Sequence, residues 1–254
     1  MLFEKITTIS VGPLTIQVWG LLVALGMLAG LIYTLHEAKK KKLNTDNFID
    51  LFILIFISSI IGSRLFYVAQ NWNDYKNNLM SIISVNEGGM VILGGVLFAV
   101  LAVLVYVKIK KLSFWKIADT IVPGFALGLG IGRIGCYLIG DHIGSRTDFF
   151  LGSYYNGDLR HEPSLYLSIN GFILFLVLIL LAPFFRKKEA ALTYVFIVWY
   201  ALSRFLLDFT RATDIEGISD HRYLNLTISQ WICAILFLVF TPLLIKKILV
   251  KSKK

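Results

Sequence analysis

The chain is organised as long apolar runs separated by short polar segments. Seven of these runs reach the roughly 20 residues that an α-helix needs to cross the hydrocarbon core of a bilayer. They predict an all-α integral membrane protein with seven transmembrane helices, near 14–35, 47–69, 90–109, 117–140, 164–185, 190–210 and 228–250. Little chain remains outside the runs, which predicts small loops and one membrane-embedded domain over 1–254.

The basic residues are distributed unevenly between the ends of these runs. Most of the 25 Lys and Arg residues follow the first, third, fifth and seventh runs. Because basic residues collect in cytoplasmic loops, the asymmetry predicts an N-terminus outside and a cytoplasmic C-terminus. The loops 70–89, 141–163 and 211–227 then lie on the outer side. This topology accounts for the net charge of +9, so we expect no nucleic-acid partner.

The composition excludes a soluble domain of this length, since 57% of the residues are hydrophobic and only 16% are charged. The two cysteines, Cys136 and Cys233, lie within predicted spans and provide neither a disulfide framework nor the spacing of a metal site. We therefore expect no metal. The first residues are followed by a polar stretch, which does not predict a cleavable signal peptide.

Arg133, which lies among glycines near the end of the fourth run, is the strongest indication of function. A charged side chain in hydrocarbon costs about 2.5–3.5 kcal/mol on insertion scales, so it marks a functional site by default. A guanidinium can hold a phosphate or a carboxylate through two hydrogen bonds. Asp141 and His142 follow within two helical turns. The alternative is an arginine that reaches to the membrane interface without a ligand.

The segment from Gly130 to Gly135 also matches the pattern G-x-G-x-x-G. A dinucleotide-binding turn must follow a strand in a soluble βαβ unit, whereas this segment lies inside an apolar run. We reject the dinucleotide interpretation. The glycines instead predict a close approach of the backbone to Arg133 or to a ligand.

A second set of polar residues lies near the end of the sixth run. Tyr200, Arg204, Asp208 and Arg211 share one helix face by their spacing. This stripe predicts either an ion-paired face that holds helices together or the lining of a polar cavity. In the second case Asp208 would orient Arg204.

Arg64 and the histidines allow more than one interpretation. Arg64 ends the second run and predicts either an interfacial anchor or a contact with a lipid headgroup. His142 is a natural general base near neutral pH, or else a polar residue at the interface. His161 and His221 lie in outer loops, where surface residues are the simpler interpretation.

Several short segments occur in an order and spacing that match a known family. They are Ser10-Val-Gly12-Pro13, Val18-Trp19-Gly20, Gly62-Ser-Arg64-Leu-Phe-Tyr67, Gly88-Gly89-Met-Val-Ile-Leu93-Gly94-Gly95, Gly132-Arg133-Ile-Gly135-Cys136, Arg204-Phe-Leu-Leu-Asp208-Phe-Thr-Arg211 and Leu226-Thr-Ile-Ser-Gln230. With them the chain resembles the phosphatidylglycerol–prolipoprotein diacylglyceryl transferases over nearly its whole length. The resemblance identifies the chain as a divergent member, with one transferase-like domain.

The departures from the family motifs concern polar residues. The histidine of the family's GGxxxHGG is Leu93 here, and the tyrosine of its WYG is Trp19. In the signature GRxGNFxNGE, the two asparagines are Cys136 and Ile139, and the glutamate is Asp141. His142 has no counterpart in that signature and could compensate for the missing histidine.

The resemblance implies a reaction and its partners. The diacylglyceryl group of phosphatidylglycerol, or of a related phospholipid, moves to the cysteine thiol of lipobox-containing preproteins, and glycerol phosphate is released without a cofactor. The enzyme would be a multi-pass protein of the cell (cytoplasmic) membrane, with its active site toward the extracytoplasmic leaflet. Because the nucleophile belongs to the substrate, Cys136 and Cys233 should be dispensable.

The resemblance also implies roles for individual residues. Arg133 and Arg204 would neutralise the departing phosphate, and His142 or Asp141 would accept the thiol proton. The expected substrate contacts are Arg64, Trp19, Gly94, Gly95, Tyr200, Asp208 and Arg211.

Two other function classes stay open at this point. One is a lipid-binding relative that is non-catalytic or has a changed substrate, which the loss of histidine at Leu93 makes credible. The other is an anion transporter or channel, whose arginines would line a pathway open to both sides. Transporters of this kind are commonly built from inverted repeats, and the sequence shows no such repeat.

Overall fold

The structure is a computed structural model that describes residues 5–12, 14–76, 78–83, 89–215 and 221–249. Its helices are α1 (Val18–Lys40), α2 (Asp46–Gln70), α3 (Trp72–Tyr75), α4 (Ile92–Ile109), α5 (Phe114–Ile139), α6 (Pro163–Phe185), α7 (Ala191–Leu207) and α8 (Ile228–Leu249). Three antiparallel hairpins pair β1 (Thr8–Val11) with β2 (Leu14–Gln17), β3 (Ser153–Tyr155) with β4 (Asp158–Arg160), and β5 (Arg222–Tyr223) with β6 (Leu226–Thr227).

Six helices in the described residues, namely α1, α2, α5, α6, α7 and α8, are long and apolar enough to cross a membrane. This confirms the prediction of a mostly helical integral membrane protein. Large apolar side chains such as Ile32, Leu180 and Leu238 are 67–71% exposed on the outside of the helices, which hydrocarbon explains and water does not. Helix α4 is apolar but has only 18 residues, so a seventh crossing and the orientation of the termini stay predictions.

The prediction for the first span was wrong at its beginning. Leu14–Gln17 alternates apolar and polar residues, and it pairs with Thr8–Val11 as a hairpin instead of opening a helix. At its other end, helix α1 extends beyond the predicted span and continues to Lys40. Two positions of the family motifs, Pro13 and Gly88, lie outside the described residues.

The chain divides into two compact units, and the single-domain organisation stays a prediction. The first unit comprises 1–34 and 118–254. In it, α1 and α5 approach closely through glycines, because a Cβ on Gly26 would lie 2.7 Å from the carbonyl oxygen of Gly128. The same unit has an apolar core between α5, α6 and α7, formed by Val122, Ala126, Leu174, Leu178, Leu192 and Phe196.

The second unit comprises Leu35–Ile117 and contains α2, α3 and α4. Helices α2 and α4 are in backbone contact, because a Cβ on Gly62 would lie 2.5 Å from the carbonyl oxygen of Gly94. Gly95 faces the side chain of Ser63 in the same way. Small residues therefore set the distance between these two helices.

Candidate active site

The first part of the site is formed by a chain reversal at the end of α5. Gly140 adopts a φ of 63°, which glycine tolerates best. Its backbone N–H donates to the carbonyl of Tyr137 (3.1 Å), and that of Asp141 donates to the carbonyl of Cys136 (3.2 Å). These two bonds form a Schellman motif, which ends the helix and turns the following residues back toward its last turns.

The reversal places His142 against Arg133. Arg133 Nη1 lies 3.3 Å from His142 Nε2, and a guanidinium can only donate hydrogen bonds. His142 Nε2 therefore accepts, so the imidazole is neutral and carries its proton on Nδ1. That nitrogen lies 3.3 Å from Asp141 Oδ2. The His142 side chain is 22% exposed, whereas that of Asp141 is half exposed.

The charge of Arg133 is not matched by an acid. Among the described residues, no carboxylate lies within ion-pairing distance of its guanidinium, whose partner is the neutral imidazole of His142. Arg133 is partly buried on a helix that is apolar enough to span a membrane. A partly buried cation with a neutral partner is suited to bind an anionic ligand.

The second part of the site lies at the end of α7. Asp208 Oδ1 is 3.2 Å from Arg204 Nη2 and 3.7 Å from Arg211 Nη1. The Asp208 side chain is fully buried, and the two arginines are 12% and 18% exposed. One carboxylate thus lies between two guanidinium groups.

Residues at the start of α8 hold the acid of this cluster in place. Thr227 Oγ1 donates to Asp208 Oδ2 (2.5 Å), and the Thr227 backbone N–H donates to Gln230 Oε1 (2.9 Å). Gln230 Nε2 donates to the carbonyl of Phe205 on α7 (3.2 Å). Arg204 Nε donates to Ser229 Oγ (3.2 Å). The cluster is therefore fixed from both helices.

Backbone pairing joins the two parts of the site. The N–H of Ala212 donates to the carbonyl of Ile143 (3.1 Å), and Gly144 forms a β-bridge with Arg211. Burial lowers the pKa of His142 below its ordinary value, and the nearby charge of Arg211 lowers it further. The site thus combines three arginines, one buried acid and one neutral histidine.

Tyr200 and Trp19, two of the predicted substrate contacts, make other contacts in the described structure. The Tyr200 ring stacks on Phe196 with a centroid distance of 6.0 Å and packs against the apolar core. Trp19 lies on the first turn of α1 and is 48% exposed, while its backbone lies against Gly135. Their proposed substrate contacts stay predictions.

Arg64, Gly94 and Gly95 belong to the second unit. Arg64 is buried, with its Nε, Nη1 and Nη2 donating to the carbonyls of Ile82 (2.9 Å), Gly89 (3.1 Å) and Ser81 (2.6 Å). These bonds occupy its guanidinium with backbone, which favours the anchoring interpretation over headgroup binding. Gly94 and Gly95 form the contact between α2 and α4, and Leu93 beside them is 61% exposed.

His161 was predicted as a surface residue, and that prediction was wrong. Its Nδ1 lies 3.0 Å from Tyr166 Oη, its backbone N–H donates to the carbonyl of Ser145 (2.9 Å), and burial lowers its pKa. His161 is part of the frame that holds the loop after α5. His221 is exposed, as predicted.

Thr227, Ser229, Arg160 and Asp214 were missed as functional candidates. Thr227 and Ser229 lie in one of the segments that resemble family motifs, so that segment was a signal for them. Arg160 donates to both oxygens of Asp214 across 54 residues of chain. Nothing in the local sequence indicates that pairing.

Comparisons with known proteins show which family the chain resembles. The family model described as prolipoprotein diacylglyceryl transferase matches residues 6–246. A phosphatidylglycerol–prolipoprotein diacylglyceryl transferase of Clostridium botulinum (strain Langeland) is 32% identical, over 96% of this chain and 97% of the relative. One of Listeria monocytogenes serotype 4b is 31% identical, over 82% of this chain and 79% of the relative. The match extends over both units, and the chain therefore belongs to the prolipoprotein diacylglyceryl transferase family.

Proposed function

We propose that this protein transfers the diacylglyceryl group of phosphatidylglycerol to the thiol of a prolipoprotein cysteine. In this reaction the sulfur forms a C–S bond to the glyceryl carbon, and the bond from that carbon to the phosphate oxygen breaks. Glycerol phosphate leaves, and the thiol proton passes to a base. The observation that carries the proposal is that Arg133 faces no carboxylate among the described residues and lies beside the neutral base His142.

The arginines supply the electrostatic part of the reaction. Negative charge builds up on the phosphate as the C–O bond breaks, and fixed donors aimed at that charge lower the barrier. Arg133 faces no carboxylate among the described residues, so its donors are free to turn from His142 to a phosphate oxygen. Arg204 is held by Asp208 and Ser229, which fixes its direction. Arg211 provides further positive charge beside His142.

His142 supplies the base. A thiol must lose its proton to become an effective nucleophile. The lone pair of His142 Nε2 points at Arg133 in the free protein. When a phosphate takes over the Arg133 donors, that lone pair becomes available for the thiol proton. Asp141, next to Nδ1, stabilises the imidazolium that forms.

The position of the site supports a reaction at the outer leaflet. The site lies at the ends of α5 and α7 and the start of α8. The lysine-rich ends of α6 and α8 meet at the opposite ends of these helices, where Lys188 Nζ donates to the carbonyl of Ile248 (2.8 Å). Since lysine-rich ends favour the cytoplasm, the site would face the extracytoplasmic side, where phosphatidylglycerol and lipobox-containing preproteins arrive through the membrane.

The proposal is tested with the purified full-length chain, phosphatidylglycerol vesicles and a synthetic lipobox peptide. We expect a peptide whose mass has increased by one diacylglyceryl group, with release of glycerol phosphate. A peptide with its cysteine replaced by serine is the matched control and should stay unmodified. Absence of the adduct at excess enzyme would reject transfer, and lipid binding without an adduct would favour a non-catalytic relative.

The pH dependence of transfer should identify the base. Because only neutral His142 can accept a proton, kcat/KM should be constant above its lowered pKa and fall as the pH drops through it. His142→Gln should lower kcat by roughly 10²–10⁴-fold and remove this acid limb. His221→Gln, at an exposed histidine, is the control and should change neither property. An acid limb that persists in His142→Gln would assign the base elsewhere.

A further inference from the structure

Arg160 is a buried arginine outside the group that faces the substrate in the proposed function. It ends β4 and is only 5% exposed. Its Nη1 donates to Asp214 Oδ1 (2.9 Å), and its Nη2 donates to Asp214 Oδ2 (2.7 Å). The same Nη1 donates to the carbonyl of Gly144 (3.1 Å). One guanidinium therefore joins three segments that are distant in sequence.

Two of these segments carry residues of the proposed active site. Gly144 lies two positions after His142, and Asp214 lies three positions after Arg211. The backbones of the two loops pair through the Ala212 N–H to the Ile143 carbonyl (3.1 Å) and the Ser145 N–H to the Thr210 carbonyl (2.9 Å). The side chain of Arg160 thus reinforces the place where the two loops meet, next to the pairing that brings Arg211 to His142.

We propose that Arg160 and Asp214 are positioning residues for the transfer reaction, which hold the loop of His142 against the loop of Arg211. We call these contacts, from Arg160 to Asp214 and to the Gly144 carbonyl, the loop clamp. The effect of these contacts on catalysis rests on the proposed function, whereas their effect on the position of the two loops does not. Hydrogen bonds from Arg160 lower the pKa of Asp214 to about 2, so the clamp stays ionised wherever His142 titrates.

The clamp predicts a measurable change at His142. The charged groups that face this imidazole are Arg211, Asp141 and Arg133. Opening the clamp lets Arg211 withdraw, which removes a positive charge that opposes protonation of His142. The pKa of His142 should then rise toward its ordinary value, although neither clamp residue touches the imidazole.

The experiment is an NMR titration of the four histidines in the full-length protein in detergent micelles, with His142 assigned from His142→Gln. We expect Asp214→Asn and Arg160→Gln to raise the pKa of His142, and the double variant to add little because both remove one interaction. Transfer should lose about 10-fold or more in kcat, since small misplacements of reacting groups are costly. Asp214→Glu should recover much of the loss.

Arg146→Gln is the matched control. Arg146 contacts Asp158 and Asp214 in the same network, but its side chain is 70% exposed. It should leave the pKa of His142 and kcat unchanged. If Arg160→Gln does not fold, Asp214→Asn provides the test, because the Asp214 side chain is 43% exposed and its replacement should perturb folding less. An unchanged pKa of His142 in folded Asp214→Asn would overturn the clamp, whereas absent transfer by the unmodified chain would reject only the proposed function.

Discussion

Replacing Arg133 by alanine should lower kcat for diacylglyceryl transfer by roughly 10²–10³-fold, the loss seen when one preorganised donor to a developing anion is removed. The reason is that the described residues offer its guanidinium no acid, only the neutral His142. Its charge is thus available to the phosphate. The measurement is kcat and KM with phosphatidylglycerol in mixed micelles and a fixed concentration of lipobox peptide.

Two further variants make this result specific. Arg133→Lys keeps the charge but loses the two-pronged donor geometry, so it should recover only part of the rate. Arg186→Ala removes an arginine at the end of α6, on the lysine-rich side, and should leave the rate unchanged. Equal rates for Arg133→Ala and the unmodified chain would contradict the assignment. A change in KM alone would assign Arg133 to lipid binding without a role in the transition state.

The second large effect should be on stability. Asp208→Ala should destabilise the protein by about 3–5 kcal/mol, the usual cost of removing one partner of a buried ion pair. Asp208 is fully buried between Arg204 and Arg211, and its removal would leave the Arg204 guanidinium partly buried without this acid. Reversible unfolding in mixed micelles, followed by circular dichroism, measures the free energy of unfolding.

The stability effect can be separated from catalysis by a second substitution. Arg204→Met in the Asp208→Ala background removes one of the two guanidinium groups that Asp208 contacts, so it should restore part of the stability. Transfer should stay lost, because Arg204 is one of the proposed phosphate contacts. Thr227→Val keeps the charge of Asp208 but removes two hydrogen bonds of the Thr227 hydroxyl, one to Asp208 and one from the Gln230 backbone N–H, and should cost about 1–3 kcal/mol. If Asp208→Ala has the same free energy of unfolding as the unmodified chain, these ion pairs do not stabilise the protein.

The apolar runs predicted most helices because a helix that crosses hydrocarbon must itself be apolar over its whole length. The runs near 47–69, 164–185 and 228–250 differ from α2, α6 and α8 by at most one residue at each end. The same criterion failed at Leu14–Gln17. Its alternation of apolar and polar residues is the period of a strand, but its apolar residues were counted with the following run.

The sequence by itself determined the parts of the site that are formed by residues close together in the chain. Gly140 ends α5 and returns His142 to Arg133, and the spacing of Arg204 and Asp208 pairs them along one helix turn. Local geometry suffices for such contacts, because nine and four residues of chain leave few arrangements.

Only the tertiary structure decided which arginines are bound by backbone carbonyls and which can face a ligand. Arg64 and Arg133 look alike in the sequence, yet backbone carbonyls occupy Arg64, whereas Arg133 lies beside a neutral histidine and faces no carboxylate in the described part of the chain. The pairing of Arg160 with Asp214 likewise depends on how two loops fold over each other. The physical reason is that a buried guanidinium must satisfy its donors with whatever groups packing brings near, and packing over long distances in sequence leaves no local pattern.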